Sequence, residues 1–400
     1  MSKVTVIDSL MGSGKTTWIK NEILDKNFDK NILYITPFLS EVERILDTSK
    51  RKIFQPQNMG SSKLDNLAKL LNAEMDIAST HELFKRFDDN CRQALRANKY
   101  TLILDETIEP IMPYQCKAGE DFKYLLEKEE IAIANNGSIK WTGTELNTRF
   151  ADVRNLAKND CLFVVDNKCY LWLFPHEIFD LFENVYVCTY LFEGSMMKYY
   201  FDLYNIQYEV KSISEINGKR TLVDYYSPDK SAIRQRIKVY EGNLNDNLKL
   251  YKDVSLSSRW FEQSQNSDKI NQIKKNMTNF VKCIVNVKSN ETMWTAYKKS
   301  KKRLANKGFT KGFVPCNSRA TNEYSNRTCL MYVCNWFENP EIVKFFRQHN
   351  IIIQQDKIAL ANLLQWIWRS NIRVADSDKL INIYIPSSRM RRLFLTWLNE

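Results

Sequence analysis

The chain has 400 residues, 44% hydrophobic and 12% aromatic, a length that suits two domains of about 150–200 residues each. It has nine cysteines without a C-x-x-C pair and only three histidines, so we expect neither a disulfide framework nor a zinc site. No apolar run approaches ~18 residues, and the first predicted strand begins at Val4. We therefore expect no membrane span, no signal peptide and a reducing, cytoplasmic setting.

The charge is divided unevenly between the two halves of the chain. The net charge is +11; residues 1–200 carry 25 basic and 29 acidic side chains, whereas residues 201–400 carry 33 and 18. A basic excess confined to one half predicts a polyanionic partner for that half. A lysine-rich surface that is only solvated remains the alternative.

The first half alternates short apolar runs with longer helical patterns, which is typical of a parallel sheet covered by helices. We predict strands at residues 4–7, 32–36, 76–79, 101–104 and 185–189. The runs 161–165 and 169–173 flank a short polar turn, so they predict a hairpin.

A polar stretch near residues 211–220 predicts a boundary between domains 1–215 and 216–400. Residues 228–275 are polar with weak periodicity, which fits either a helical insertion or a mobile loop. Beyond them we predict a second α/β unit with strands at 283–287, 312–315, 329–334 and 380–385, and helices at 295–307, 340–349 and 358–370.

A glycine-rich loop follows the first predicted strand and leads into an amphipathic segment. It reads Gly12-Ser13-Gly14-Lys15-Thr16-Thr17. Glycines let such a loop approach phosphate oxygens, and the N–H groups at the start of the helix attract anions. Lys15 is expected to reach the β- and γ-phosphates and the Thr16 hydroxyl to bind Mg²⁺, so ATP and Mg²⁺ are the expected cofactors. The eight-residue template has a glycine where this chain has Ser9, and a plain glycine turn is the alternative.

An acidic pair, Asp105 and Glu106, follows the buried run of residues 101–104. Ligands bind at the carboxyl ends of parallel strands, and a hydrolytic P-loop site needs a carboxylate there for Mg²⁺. We predict that Asp105 holds Mg²⁺ and that Glu106 orients the attacking water.

With these motifs the chain resembles a superfamily 2 helicase, the group with tandem RecA-like domains and a D-E-x-x box, here Asp105-Glu106-Thr107-Ile108. The compact layout is more like the phage or mobile-element replication helicases. Other segments similar to the family's motifs follow in the expected order: Tyr34-Ile35-Thr36-Pro37, Ser79-Thr80-His81-Glu82-Leu83-Phe84, Val187–Ser195, Asn317–Asn322 and Gln365–Arg373.

The resemblance implies an α/β fold of two tandem RecA-like parallel-sheet P-loop domains and an ATP-driven DNA helicase. It implies backbone contacts to nucleic acid by Thr36, Pro37 and Thr80. Its partners would be single-stranded or forked DNA and replication proteins, in the cytosol of a bacterium or a phage-infected host. The resemblance also implies a motif of one glutamine and two arginines, Gln365, Arg369 and Arg373.

That last motif departs from the family pattern, because Trp368 replaces a glycine and the arginines follow Gln365 by four and eight residues. On one helix, side chains four residues apart differ in direction by about 40° around the helix axis, so the three side chains can share a face. Arg369 is then the better candidate for an arginine finger. A helix packed through tryptophan and isoleucine with two surface arginines is the alternative.

Basic and aromatic side chains in the second half are candidates for gripping nucleic acid. The densest basic clusters are 298–303 and 389–392, and we predict phosphate contacts by Lys298, Lys301, Lys302 and Arg303. Four aromatic residues are candidates for stacking on bases, although helical spacing favours core packing for each of them: Trp294, Trp366, Trp368 and Tyr324.

Three other functions are compatible with a P-loop chain. One is a nucleic-acid-binding switch that clamps with ATP but does not separate strands. Another is a packaging motor with a nuclease, which needs clustered carboxylates for two metals; residues 276–375 contain few acids. The last is a small-molecule kinase, which would leave the basic second half unexplained.

Overall fold

The computed structural model describes residues 3–25, 30–58, 62–114, 119–144, 149–166, 168–250, 253–307, 309–316, 323–374 and 376–400. The chain divides into two compact units. The first comprises Met1–Ser9, Gly14–Tyr225 and Glu338–Ile353, and the second comprises Leu10–Ser13, Tyr226–Phe337 and Gln354–Glu400. Each unit is built on its own sheet.

Among the described residues, eight strands of the first unit form one sheet in the order β13-β12-β1-β11-β5-β2-β4-β3, parallel except for the β12–β13 pair. The unit's strands are β1 (Lys3–Asp8), β2 (Asn31–Thr36), β3 (Ile53–Phe54), β4 (Asp76–Thr80), β5 (Tyr100–Leu104), β6 (Ile111–Pro113), β7 (Ile131–Ile133), β8 (Ile139–Trp141), β9 (Leu162–Val165), β10 (Cys169–Leu173), β11 (Asn184–Thr189), β12 (Tyr208–Ile216) and β13 (Lys219–Asp224). The α/β class and the five strands predicted for the first half are confirmed. Their apolar runs are legible in sequence because helices cover both faces of the sheet.

The helices of the first unit pack on its sheets through apolar faces: residues 119–127 and 151–158 cover the smaller sheets, residues 340–348 lie against β6 and β9, and the others cover the eight-stranded sheet. The helices are Lys15–Ile19, which continues as a π-helical turn Lys20–Leu24, then Leu39–Thr48, Lys63–Asn72, His81–Phe84, Asp89–Ala97, Gly119–Glu127, Ala151–Lys158, Met196–Leu203 and Pro340–Gln348.

In its described part the first unit also has two smaller sheets, one of which contains the predicted hairpin. β9 and β10 pair antiparallel, with Val165 opposite Cys169, and β6 extends this pair on the other edge of β10. β7 and β8 form a separate two-stranded sheet. Phe122 stacks on Tyr170 with ring centroids 3.7 Å apart, within a satellite core over these strands. The hairpin predicted at residues 161–173 is confirmed.

β12 and β13 form a hairpin at the edge of the main sheet. Its turn residues Asn217 and Gly218 both have positive φ, 50° and 74°, as two-residue type I′ turns require. The first unit therefore runs through Tyr225, and the predicted boundary at residue 215 lies within β12. The polar alternation of this stretch reflects an edge hairpin with one solvated face, which composition alone does not distinguish from a linker.

In the described part of the second unit, four parallel strands pair in the order β14-β17-β16-β15. They are β14 (Ile237–Val239), β15 (Thr292–Thr295), β16 (Cys329–Tyr332) and β17 (Ile381–Tyr384). The α-helices are Ser231–Arg236, Asn243–Asp246, Ser258–Glu262, Ser267–Asn279, Lys301–Leu304, Gln355–Ile367 and Ser388–Asn399.

Several predictions for this half need correction. Residues 228–275 contain short helices, so the helical alternative fits the described part of the insertion. The strand predicted at 283–287 is wrong, because helix Ser267–Asn279 continues there as a π-helical turn, Phe280–Val285, whose Phe280 and Val281 are in the core. The β-branched run resembles a strand locally, but its apolar face packs as helix. The strand lies instead at Thr292–Thr295, where a helix was predicted to begin.

Candidate functional site

The glycine loop lies at the carboxyl end of β1 and has a backbone that only glycine adopts easily. Gly12 and Gly14 have φ of 84° and 92°. A methyl group on the Gly14 α-carbon would lie 2.8 Å from Arg220 Nε, so a side chain at this position would also have to displace the Arg220 side chain. The Gly14 carbonyl accepts the Trp18 N–H at 2.8 Å and begins the helix. The sequence pattern and this backbone agree on a P-loop.

Lys15 is the cation of the site. Its Nζ donates to the Ser9 backbone carbonyl, and Asp8, Asp105 and Glu106 are near enough to act on its charge. Burial lowers the pKa of Lys15, and these carboxylates act in the opposite direction. An anion that binds beside Lys15 would stabilise the charged form of this desolvated ammonium group.

Ser9 occupies the position where the P-loop template has glycine. Its Oγ is buried and accepts the Ile213 N–H at 2.7 Å, and its own N–H donates to the Thr189 carbonyl at 3.1 Å. The serine thus joins the start of the loop to β11 and β12. A glycine at this position would lack the hydroxyl that accepts the Ile213 N–H.

Ser13 and Thr17 complete the predicted nucleotide-binding loop. Thr17 is exposed. Within the described chain, the Ser13 hydroxyl is buried and has no hydrogen-bond partner. An unsatisfied buried hydroxyl in a glycine loop is consistent with a ligand that supplies the missing partner.

Asp105 and Thr16 lie together, as their predicted roles require. Thr16 Oγ1 donates to Asp105, 3.2 Å from Oδ1 and 3.4 Å from Oδ2. The Tyr34 hydroxyl also donates to Asp105 Oδ2. Burial raises the pKa of Asp105, while these two hydrogen bonds lower it. Tyr34 is fully buried on β2, and the sequence indicated only that its segment resembles a helicase motif.

Glu106 has φ of 131°, a backbone conformation that residues with a side chain rarely adopt. The preceding N–H of Asp105 donates to the Ile35 carbonyl at 2.8 Å, which holds the strand end in place. Strain of this kind persists only where the surroundings impose it, and it clusters at functional sites. The sequence predicts that Glu106 orients the attacking water, and this role stays a prediction.

Asp8 is a member of the site that the sequence motifs do not reveal. It is 6% exposed, and its two carboxylate oxygens accept the N–H groups of Leu191 and Phe192, each at 2.9 Å. Leu191 has φ of 56°, so two successive N–H groups converge on the carboxylate as they do in an anion-binding nest. Burial raises the pKa of Asp8, and these N–H bonds lower it. The contact joins the end of β1 to the segment 187–195.

The predicted backbone-contact residues follow two neighbouring strands, where Thr36 of β2 pairs with Thr80 of β4. Thr36 is 1% exposed, so its side chain does not reach the surface. Thr80 Oγ1 accepts the Leu83 N–H at 3.4 Å and caps a short helix, and Pro37 is half-buried.

The glutamine and arginines of the last motif do not share one helical face. The helix ends at Ile367, so Gln365 is on it, Arg369 lies in the turn that follows, and Arg373 ends a 3₁₀ turn. Arg369 is 3% exposed and donates to the Pro315 carbonyl at 3.2 Å, whereas Gln365 and Arg373 are exposed. The 100° helical spacing assumed from sequence is wrong beyond Ile367, because the chain turns there with Ser370 N–H donating to the Ile367 carbonyl.

The basic residues of the second unit divide into structural and exposed ones. Arg389 is buried and forms an ion pair with Asp356, with its Nη2 2.7 Å from Oδ1, so the cluster 389–392 is partly structural. Arg303 is exposed but donates to the Phe261 carbonyl and to Ser267 Oγ. The remaining predicted contacts are exposed on the segment 298–304: Lys298, Lys301 and Lys302.

Three of the four candidate stacking residues belong to the core. Trp294 and Trp366 are fully buried and Trp368 is 6% exposed, which confirms the core alternative for them. The motif-like segment Asn317–Asn322 lies outside the described residues. Among the residues that the structure describes, no group of three or more His, Cys, Asp or Glu side chains is placed to hold a metal. No helix of that same part is both long and apolar enough to span a bilayer.

The parallel sheets and the P-loop define the class of protein as an α/β chain with tandem RecA-like units. An apo structure of XPD superposes with a TM-score of 0.51 at 10% identity, covering 100% of this chain and 95% of that one. A structure of Xpd4 from S. tokodaii gives a TM-score of 0.47 at 10% identity, over 98% of this chain and 94% of that one. The first likeness supports the fold alone.

Sequence comparison identifies the family. Residues 231–398 match the model of the YonV C-terminal Rossmann-like domain, and residues 116–172 match that of the YonV middle domain. The SPbeta prophage-derived uncharacterized protein YonV of Bacillus subtilis (strain 168) is 38% identical over 418 residues, covering 100% of both chains. The chain belongs to the YonV family.

Proposed function

We propose that this protein is an ATP-dependent helicase or translocase of superfamily 2 that acts on nucleic acid, DNA in particular. The observation that carries the proposal is the Thr16–Asp105 contact at 3.2 Å beside Lys15, at the carboxyl edge of a RecA-like sheet. P-loop NTPases bring these three side chains together for one purpose, the binding and hydrolysis of a nucleoside triphosphate.

The residues present fit a magnesium nucleotide. Thr16 and Asp105 offer hydroxyl and carboxylate oxygens, the hard ligands that Mg²⁺ prefers. When bound, Mg²⁺ would neutralise charge on the phosphates. Lys15 supplies an ammonium group, Gly12 and Gly14 allow close approach of the backbone, and Ser13 offers a buried hydroxyl. Glu106 is the residue we assign to orient the attacking water.

The nucleic-acid partner is supported by charge. Residues 201–400 carry 33 basic against 18 acidic side chains, and Lys298, Lys301 and Lys302 are exposed on one short segment. Contacts to phosphate give affinity without sequence preference, which suits a motor that moves along any sequence. Single-stranded or forked DNA is the proposed substrate.

We place the activity in phage or prophage DNA replication or recombination, in the bacterial cytoplasm, with replication proteins as further partners. The support is that the YonV relative is described as prophage-derived. Arg369 remains the proposed arginine finger, with Arg373 as the second candidate and Gln365 as their motif partner. Arg369→Ala is expected to slow hydrolysis while ATP affinity is largely kept, and Arg373→Ala is its matched comparison.

The decisive experiment measures ATP turnover of the full-length protein with single-stranded, forked and double-stranded DNA and RNA, alongside strand separation on the forked substrate. We expect single-stranded DNA to stimulate turnover and Lys15→Ala to abolish it. Lys20→Ala, on the π-helical turn beyond the loop, is the matched control and should behave as wild type.

Two results would contradict parts of the proposal. Turnover that survives in Lys15→Ala would remove the P-loop assignment. Equal turnover with and without nucleic acid, together with ATP-dependent binding and no strand separation, would favour the alternative of an ATP-driven switch.

A further inference from the structure

An arginine of the edge hairpin lies over the P-loop. Strand side chains alternate between the two faces of a sheet, so Arg220 and Leu222 of β13 are on the same face. Leu222 packs against the apolar cluster that contains Trp18 and Ile19 of the P-loop helix. Two residues earlier along β13, Arg220 therefore reaches the turn that begins this helix.

The contact between Arg220 and this turn is close. A methyl group at the Gly14 α-carbon would lie 2.8 Å from Arg220 Nε, 3.1 Å from Cδ and 3.3 Å from Cγ. The side chain thus runs directly over the glycine whose carbonyl starts the helix. A guanidinium at this location carries donors next to the loop that is shaped for phosphate.

Arg220 forms an exposed ion pair, in which another anion can replace its present partner. Its Nη1 is 2.7 Å from Oε2 of Glu215, which lies opposite it in the β12–β13 register. The two side chains are 37% and 53% exposed. Exposed ion pairs contribute little to stability, whereas an arginine binds a phosphate through charge-assisted, bidentate bonds. A nucleotide phosphate would therefore compete well with Glu215.

We propose that Arg220 is a further nucleotide-binding residue that donates to a phosphate oxygen of the nucleotide held by the P-loop. The inference rests on the proposed function, and it adds a cation from the same unit to the one that Lys15 supplies. Glu215 holds the guanidinium over Gly14 in the absence of nucleotide. The β12–β13 hairpin then serves as part of the phosphate site, in addition to closing the edge of the sheet.

The test is equilibrium binding of a fluorescent N-methylanthraniloyl ATP to the full-length protein with Mg²⁺, with inorganic tripolyphosphate as competitor. Arg220→Ala should weaken binding of both probes about 10-fold, the loss of roughly one charge-assisted hydrogen bond. Arg220→Lys should restore part of the loss. Lys219→Ala removes the same charge from the neighbouring exposed position of β13, on the opposite face, and should bind as wild type.

Two further measurements separate a phosphate contact from support of the loop. The Kd of Arg220→Ala should depend less steeply on salt than that of wild type, because one cation–phosphate contact is gone. Glu215→Gln, which frees the guanidinium, should bind at least as tightly as wild type.

The inference is overturned if Arg220→Ala binds both probes like wild type, or if it loses ATP affinity but keeps tripolyphosphate affinity, since the contact would then be with the base or sugar. An unchanged salt dependence would also overturn it. Failure of the proposed function looks different, because wild type and Lys15→Ala would then both fail to bind ATP. Thermal melting of each variant verifies that it is folded.

Discussion

Replacing Tyr34 by phenylalanine tests whether the site depends on the second partner of its acidic residue. Tyr34 is fully buried on β2, and its hydroxyl donates to Asp105 Oδ2. The substitution keeps the ring and removes only the hydroxyl, so the packing cost is small. Asp105 would retain only the longer bonds from Thr16, 3.2 and 3.4 Å.

The expected loss of stability follows from the negative charge on Asp105, the acceptor of the hydrogen bond. A hydrogen bond to an ionised group contributes about 1.5–3 kcal/mol, so Tyr34→Phe should lower the free energy of unfolding by about that amount. Residues that orient metal ligands typically change metal affinity by about 10–100-fold when they are removed. We therefore expect the Mg²⁺ concentration for half-maximal ATP hydrolysis to rise within that range.

The pH dependence gives a second measure with a definite sign. Burial raises the pKa of Asp105 and the Tyr34 hydrogen bond lowers it. Without Tyr34 the pKa of Asp105 rises further, so the carboxylate takes up a proton at higher pH. The acid limb of the pH–rate profile should move to higher pH, and added Mg²⁺ should partly restore the rate.

Tyr100→Phe is the matched control. Tyr100 is also fully buried, on the neighbouring strand β5, but its hydroxyl donates to the neutral carbonyls of Leu71 and Met75 at 3.3 and 2.9 Å. It should lower the free energy of unfolding by about 0.5–1.5 kcal/mol and leave the Mg²⁺ and pH dependences unchanged. If Tyr34→Phe, like Tyr100→Phe, left both the Mg²⁺ dependence and the pH dependence unchanged, our account of the Asp105 site would be refuted.

Three further predictions concern other residues. Glu106→Gly should relieve the strain at φ of 131° and raise the free energy of urea unfolding by about 1 kcal/mol while hydrolysis is lost; preserved turnover would count against a role for Glu106. Because burial lowers the pKa of Lys15 below its usual 10.5, ATP affinity should fall as the pH rises through that lowered pKa, and Lys15→Arg should lack this fall because guanidinium stays protonated; identical profiles would contradict the reasoning. A Lys298→Ala, Lys302→Ala double variant should reduce the slope of log affinity for DNA against log salt by about 1–2, with DNA-free hydrolysis unchanged, and an unaltered slope would locate the grip elsewhere.

Sequence was most informative where one local pattern has one structural meaning. The apolar runs of the first half predicted five strands, because a strand buried on both faces needs a continuous apolar stretch. The second half was harder to predict. The run near residues 283–287 has strand-like side chains, but its neighbours Phe280 and Val281 pack as an extension of a helix. Burial against tertiary neighbours overrode local propensity there.

Long-range contacts could not be predicted from the sequence. Helix Pro340–Gln348 was predicted correctly as a helix, but it belongs to the first unit, where Phe345 packs edge-on to Phe163 with centroids 5.4 Å apart and Lys344 forms an ion pair with Asp166. These partners are separated by well over a hundred residues. Periodicity reports which face of a helix is apolar, and it does not report which sheet covers that face.

By itself the sequence determined the α/β class, the glycine loop and the acidic pair, because backbone freedom at Gly12 and Gly14 and charge at the end of an apolar strand are properties of neighbouring residues. Only the tertiary structure decided that Tyr34 and Arg220 lie around them, and that the Asp8 carboxylate accepts the N–H groups of Leu191 and Phe192. These contacts join strands and segments that are separated in the chain, and the order in which strands pair in a sheet is set by the burial of whole elements, which no short motif records.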